Sequence, residues 1–112
     1  MFLDVFVPED VLANVGKGYG APVLVWIYGG GYTAGSKNNN PAGLLAASGN
    51  STNADVIYVA MNYRLGALGW SSGPSYNEEG GVSNLGLYDQ RFALEWVQEN
   101  IHLFGGDKNR VS

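Results

Sequence analysis

Two stretches of this chain are apolar at nearly every position: Pro22-Val23-Leu24-Val25-Trp26-Ile27-Tyr28 and Val56-Ile57-Tyr58-Val59-Ala60-Met61. Both are rich in β-branched and aromatic residues and neither alternates with polar ones. Each therefore reads as a strand covered on both faces, as in the interior of a parallel sheet. Such strands need sheet neighbours and a covering layer, which sets the terms for everything else in a chain of 112 residues.

The rest of the chain is divided by its 17 glycines, roughly twice the usual ~7% share. Phe2 to Val7 alternates enough for a short strand, which Pro8-Glu9-Asp10 ends. Gly16-Lys17-Gly18-Tyr19-Gly20 is a link. Tyr32 to Asn40 reads as a polar loop, Pro41 to Ser48 as a short helix with Pro in its first turn, and Asn50 to Asp55 as another loop. Gly66 to Gly81 reads as loop, with Pro74 and Ser71-Ser72 inside it. Beyond it Leu85, Tyr88, Phe92, Trp96 and Val97 recur at helical spacing, and Gly105-Gly106 closes a long amphipathic helix. The order is that of an α/β fold: a partial sheet of about three strands with a short and a long helix, truncated, and a further strand could begin at Arg110-Val111-Ser112.

Composition removes several functions. The net charge is −4, with 46% apolar residues, and no basic cluster suits a nucleic-acid backbone. No run reaches the roughly 18 apolar residues of a membrane span. Met1-Phe2-Leu3-Asp4 lacks the basic start of a signal peptide. With no cysteine, disulfides and zinc-thiolate sites are excluded. Asn50-Ser51-Thr52 is a glycosylation acceptor pattern, relevant in a secreted protein.

The segment with chemical content is Gly29-Gly30-Gly31-Tyr32-Thr33-Ala34-Gly35-Ser36, at the carboxyl end of the first apolar run. Glycines there let backbone N–H groups approach a ligand oxygen, as in an oxyanion hole or a phosphate cradle; a merely tight turn is the third reading. A dinucleotide site would need a helix to start at once and an acidic residue to end the next strand. Asn38-Asn39-Asn40-Pro41 and Met61-Asn62 meet neither condition.

Four segments in this order carry a specific resemblance: Phe2-Leu3-Asp4-Val5-Phe6-Val7-Pro8, Val25-Trp26-Ile27-Tyr28-Gly29-Gly30-Gly31-Tyr32, Met61-Asn62-Tyr63-Arg64-Leu65-Gly66, and Asn84-Leu85-Gly86-Leu87-Tyr88-Asp89-Gln90-Arg91 running on to Phe104-Gly105-Gly106-Asp107. The chain resembles the type-B carboxylesterase and lipase family, the cholinesterase-like branch of the α/β-hydrolases, over essentially its whole length. The resemblance implies that residues 1–112 are a fragment of one such domain. It also implies that the enzyme hydrolyses small-molecule or lipid carboxylic esters by serine acyl transfer, without cofactor or metal, and that secretion is open to it. It assigns oxyanion-hole amides to Gly30 and Gly31, with Gly29 shaping the loop. The nucleophile, acid and histidine are expected beyond Ser112, so the isolated chain is expected to be inactive and, with sheet edges exposed on Val23 to Tyr28 and Val56 to Met61, prone to aggregate. The alternative from another class is a cholinesterase-like adhesion or scaffold protein that has lost the triad.

Arg64 and Asp89 both lie in these motifs and are expected to pair, joining the second apolar strand to the long helix. If the pair is buried, breaking it should cost about 3 to 5 kcal/mol. Gly69-Trp70-Ser71-Ser72-Gly73 matches G-x-S-x-G literally, but an elbow serine needs a strand before it and a helix directly after it, and Ser71 reads as a loop serine. His102, the single histidine, sits near the end of the long helix with no nucleophile beside it. Glu78 and Glu79 read as a solvated turn, and Trp26 and Trp96 as core.

Overall fold

The structure, a computed structural model, describes residues 1–50 and 55–112. Strands β1 (Leu3–Phe6), β2 (Ala21–Trp26), β3 (Ile57–Met61) and β4 (Gly106–Val111) form one sheet in the order β1-β3-β2-β4. β3 is parallel to β2 (Val25 opposite Val59) and antiparallel to β1 (Val5 opposite Val59), and β2 is parallel to β4. The helices are α1 (Glu9–Ala13), α2 (Ala42–Asn50), α3 (Gly66–Trp70), α4 (Pro74–Glu78) and α5 (Leu85–Asn100), the last running into a 3₁₀ turn at Ile101–Phe104.

The two apolar runs are the two central strands. Every residue of β3 is buried. The expectation of open edges on these runs is therefore corrected: each has a neighbour on both sides, and the edges among the described residues are β1 and β4. β2 differs from expectation in another way, since Trp26 at its end is 41% exposed rather than core. Trp96 does pack on the core, beside Phe104.

The buried stripe of α5 is Gly86, Ala93 and Val97, continued by Ile101. The larger Tyr88 and Phe92 of the expected stripe are exposed. Small residues on the inner face let the helix axis lie close to the sheet, where Val97 and Ile101 join Val23, Ile57 and Val59 in the core. Gly105, with φ 81° and ψ 14°, ends the turn in the left-handed region.

Three further elements depart from the sequence reading. The 66–81 stretch holds α3 and α4, single-turn helices too short for any periodicity, with Pro74 at the start of α4. α1 follows Pro8, whose acidic successors Glu9 and Asp10 suit a first helical turn. β4 is a fourth strand despite its polar sequence: Val25 N–H donates to the Ser112 carbonyl at 2.7 Å and Ser112 N–H to that of Val23 at 2.9 Å. The glycosylation pattern begins at exposed Asn50, while its Ser51 and Thr52 lie outside the described residues. No helix among the described residues is long and apolar enough to cross a membrane.

Candidate active site

β2 delivers Tyr28 and the glycines to the carboxyl end of the sheet, and the chain turns there through three residues of positive φ: Gly30 (129°), Gly31 (60°) and Tyr32 (65°). A Cβ on Gly30 would stand 2.0 Å from the Ala34 carbonyl oxygen, so only glycine fits. Gly31 needs glycine for its backbone angle, since the space around it is open. Gly29 needs it for neither reason. The tight backbone geometry of the turn thus lies at Gly30, Gly31 and Tyr32.

The direction of the amides follows from where their carbonyls go, because C=O and N–H of one trans peptide point opposite ways. The Gly30 carbonyl accepts Thr33 N–H (3.2 Å), Ala34 N–H (3.3 Å) and Thr33 Oγ1–H (3.1 Å) inside the turn. The Gly31 N–H on the same peptide therefore faces outward. The Gly29 carbonyl faces Gly35, where a Cβ would lie 2.6 Å from it, so the Gly30 N–H is also turned out. Neither amide donates to another group among the described residues.

Beneath the loop, Tyr28 and Tyr63 are buried and stacked, with ring centroids 4.6 Å apart. Tyr63 Oη donates to the Tyr28 carbonyl at 2.8 Å, and Tyr28 Oη donates to the Tyr63 carbonyl at 3.1 Å. Burial, with Tyr28 and then Tyr32 nearby, raises the Tyr63 phenol above its ordinary value, so it stays a donor. The loop's far limb is held as well. Lys37 N–H donates to Asn62 Oδ1 at 2.8 Å, Lys37 Nζ pairs with Asp4, and Gly66 N–H donates to the Tyr32 carbonyl at 2.8 Å. These contacts join residues distant in sequence, and only the motif Met61 to Gly66 hinted at them.

Arg64 and Asp89 are paired: Nη2 meets Oδ1 at 2.8 Å and Nε meets Oδ2 at 2.9 Å, a two-pronged contact. The Arg64 side chain is 48% exposed, so the cost reckoned for a buried pair does not apply. The hydrogen bond from Arg64 holds the Asp89 carboxyl below its ordinary value, and the same bond raises the guanidinium.

The other sequence candidates lie elsewhere. Ser71 follows a helix, not a strand or loop, and its hydroxyl donates to the Ala67 carbonyl, so it lacks elbow geometry. His102 is exposed in the 3₁₀ turn, close to the start of β2, because Ala21 N–H donates to the neighbouring Gly105 carbonyl at 2.7 Å. The six residues of β2 put it about 20 Å from the glycine loop at ~3.3 Å per residue. A hollow of about 670 Å³ lies at that end, lined by Lys17, Tyr19, Glu99 and His102 among others. Glu78 and Glu79 are exposed at the end of α4.

With this geometry the chain can be set beside known proteins. A model of the carboxylesterase family matches residues 1–112. The carboxylesterase patB of Aspergillus clavatus is 53% identical over 118 aligned residues, which cover 100% of this chain and 21% of that protein. A secreted lipase of Arthroderma benhamiae is 42% identical over 120, covering 100% and 22%. The crystal structure of Aspergillus niger EstA superposes with a TM-score of 0.80 at 36% identity, over 98% of this chain and 20% of that one. Juvenile hormone esterase from Manduca sexta gives 0.78 at 36% identity, over 97% and 18%. The chain thus spans about a fifth of the length of these relatives, and its mixed sheet is part of the α/β-hydrolase fold that such esterases share. A match over every residue, with sequence and backbone in agreement, means that the chain belongs to the carboxylesterase family.

Proposed function

We propose that residues 1–112 are part of a single α/β-hydrolase domain that cleaves carboxylic esters by serine acyl transfer, and that they supply its oxyanion-hole amides, Gly30 and Gly31. One observation carries the assignment: two consecutive peptides keep their carbonyls within the turn and present both N–H groups outward, without a partner among the described residues, at the carboxyl end of β2. When a nucleophile adds to an ester carbonyl, its oxygen gains a full negative charge. Donors already fixed about 2.7 to 3.1 Å from that oxygen stabilise the tetrahedral species without reorganising. Open space at Gly29 and Gly31 leaves room for the ester. Small-molecule or lipid esters are the substrate class, in keeping with relatives named carboxylesterase and lipase. Ser71 and His102 do not form the nucleophile and base: Trp70, next to Ser71, packs on Gly86 at the start of α5, while His102 lies in the turn after its end, and the 16 residues of α5 span about 24 Å at 1.5 Å each.

The test uses a complete carboxylesterase containing this segment. Valine at position 31 cannot hold a φ near 60° without strain, so Gly31→Val tilts both amides. It should lower kcat by at least ~10²-fold in folded protein; a kcat within about threefold of the parent overturns the assignment. Residues 1–112 alone should show no turnover of an activated ester above buffer. Turnover abolished by a serine-directed inhibitor would contradict this and make Ser71→Ala the next variant.

A further inference from the structure

We infer that Asn62–Gly66 is a brace that sets the orientation of the glycine loop, with Tyr63 as its principal positioning residue, an inference that rests on the oxyanion reading of that loop. The segment touches the loop at three places along its length. Tyr63 Oη holds the Tyr28 carbonyl at the entry (2.8 Å), Gly66 N–H holds the Tyr32 carbonyl just past the turn (2.8 Å), and Asn62 Oδ1 holds Lys37 N–H at the exit (2.8 Å).

These contacts fall where the β2/β3 ladder has run out. The last register pair is Trp26 with Ala60, and beyond it parallel strands would splay. Side chains continue the pairing instead. Tyr28 Oη receives Tyr63 N–H at 3.4 Å and donates to the Tyr63 carbonyl at 3.1 Å, while Tyr63 Oη returns the bond to Tyr28. Fixing the Tyr28 carbonyl fixes the Gly29 N–H on the same peptide, one residue before the outward amides.

The returning limb leans on the same ring. A Cβ on Gly35 would fall 2.3 Å from Tyr28 Cδ2 and 2.6 Å from the Gly29 carbonyl oxygen, so Gly35 packs flush against both. The brace is itself anchored, because Arg64 N–H and its guanidinium are held by Asp89 on α5. Both phenols are buried, and that of Tyr63 is kept protonated by its surroundings. The contact therefore keeps its donor at neutral pH. Tyr63 does not adjoin the reacting atoms by this reading. It acts through the loop, where a displacement of a few tenths of an ångström weakens a donor aimed at an oxyanion more than one aimed at a neutral ester.

The variant is Tyr63→Phe in a complete carboxylesterase containing the segment, since it keeps the stacked ring and deletes only the hydroxyl. Active sites are counted with a covalent organophosphonate, so that misfolded molecules do not enter the rate. The expected result is a fall in kcat per titrated site of more than about twofold and up to about tenfold, the scale of one hydrogen bond. KM should stay within about twofold, and affinity for a trifluoromethyl ketone, which forms a tetrahedral adduct, should fall in parallel with kcat. A kcat per site within about twofold of the parent, or a change confined to KM, overturns the inference. If Tyr63→Phe does not fold, Asn62→Ala is judged by the same two readouts. Gly31→Val run alongside separates the possible failures. If it lowers kcat while the brace variants do not, the brace is refuted and the loop assignment stands; if neither lowers kcat, the loop assignment has failed first.

Discussion

Asp89 receives three hydrogen bonds from Arg64: from the backbone N–H at 2.9 Å, from Nε at 2.9 Å and from Nη2 at 2.8 Å. One carboxylate at the start of α5 thereby fixes both the backbone and the side chain of the residue that follows Tyr63. The backbone bond is the more telling of the contacts, because the Arg64 N–H shares its peptide with the Tyr63 carbonyl, which accepts the Tyr28 hydroxyl. The Arg64 carbonyl, on the next peptide, packs against α3 and α5: a Cβ on Gly69 would stand 2.1 Å from its oxygen, and one on Gly86 would stand 2.8 Å from it.

Replacing either charged residue should show this division of labour. Arg64→Lys keeps a charge and the backbone N–H but loses the planar fork. Asp89→Ala loses all three bonds. Thermal melts of the complete enzyme should rank Asp89→Ala well below Arg64→Lys, and an equal or reversed ranking would deny the backbone bond its importance.

The same pair predicts a pH dependence. The Arg64 hydrogen bond lowers the Asp89 carboxyl from its ordinary 3.8, so the folded state binds this proton more weakly than the unfolded state does. The pair's contribution is therefore present in full above about pH 4 and disappears as the pH falls through the lower, folded value. Urea midpoints taken down an acid series should fall more steeply for the parent than for Asp89→Asn. Parallel curves would remove the linkage.

Close approach at glycine predicts a graded series. Gly69→Ala and Gly86→Ala press a methyl into the Arg64 carbonyl and should cost about 1 to 3 kcal/mol or more, with Gly69 the worse. Gly30→Ala meets the Ala34 carbonyl and should be at least as damaging. Gly29→Ala meets nothing within 4 Å and should stay within about 0.5 kcal/mol of the parent. Urea unfolding measures all four, and a costly Gly29→Ala would show that the glycine loop is shaped differently.

Ile101 is fully buried against Val23 and the backbone of Gly106. Ile101→Ala should cost about 2 to 5 kcal/mol and Ile101→Val about 0.5 to 1.5 kcal/mol. Near-neutral values for both would mean that the 3₁₀ turn does not close the core.

What could be read from the sequence was what a local pattern carries. The unbroken runs around Val23 and Val59 are strands because little else buries both faces, and α5 is long enough for its period to show. The polar residues Asp107, Lys108, Asn109 and Arg110 in β4 hid a strand that exists through its pairing with β2. α3 and α4 hid among glycines because one turn has no period. On α5 the apolar period includes Tyr88 and Phe92, which are exposed, whereas Gly86 and Ala93 are buried, their small size letting the helix approach the sheet. At the site, the glycine loop was visible as a motif. The tie from Tyr63 to Tyr28 spans 35 residues, and no local pattern announces it.

The strand order has a consequence during synthesis. β2, the most apolar part of the first third of the chain, gains one neighbour only when β3 ends at Met61 and the other only when β4 ends at Val111. β1 must wait as well, because its partner is β3. At the usual ~5 to 20 residues per second, the roughly 85 residues between Trp26 and Val111 leave one edge of β2 bare for about 4 to 17 seconds on every ribosome that makes it. For that interval the nascent chain presents an apolar strand with at least one unpaired edge, and this is the window in which a chaperone would be needed and a misstep would be costly.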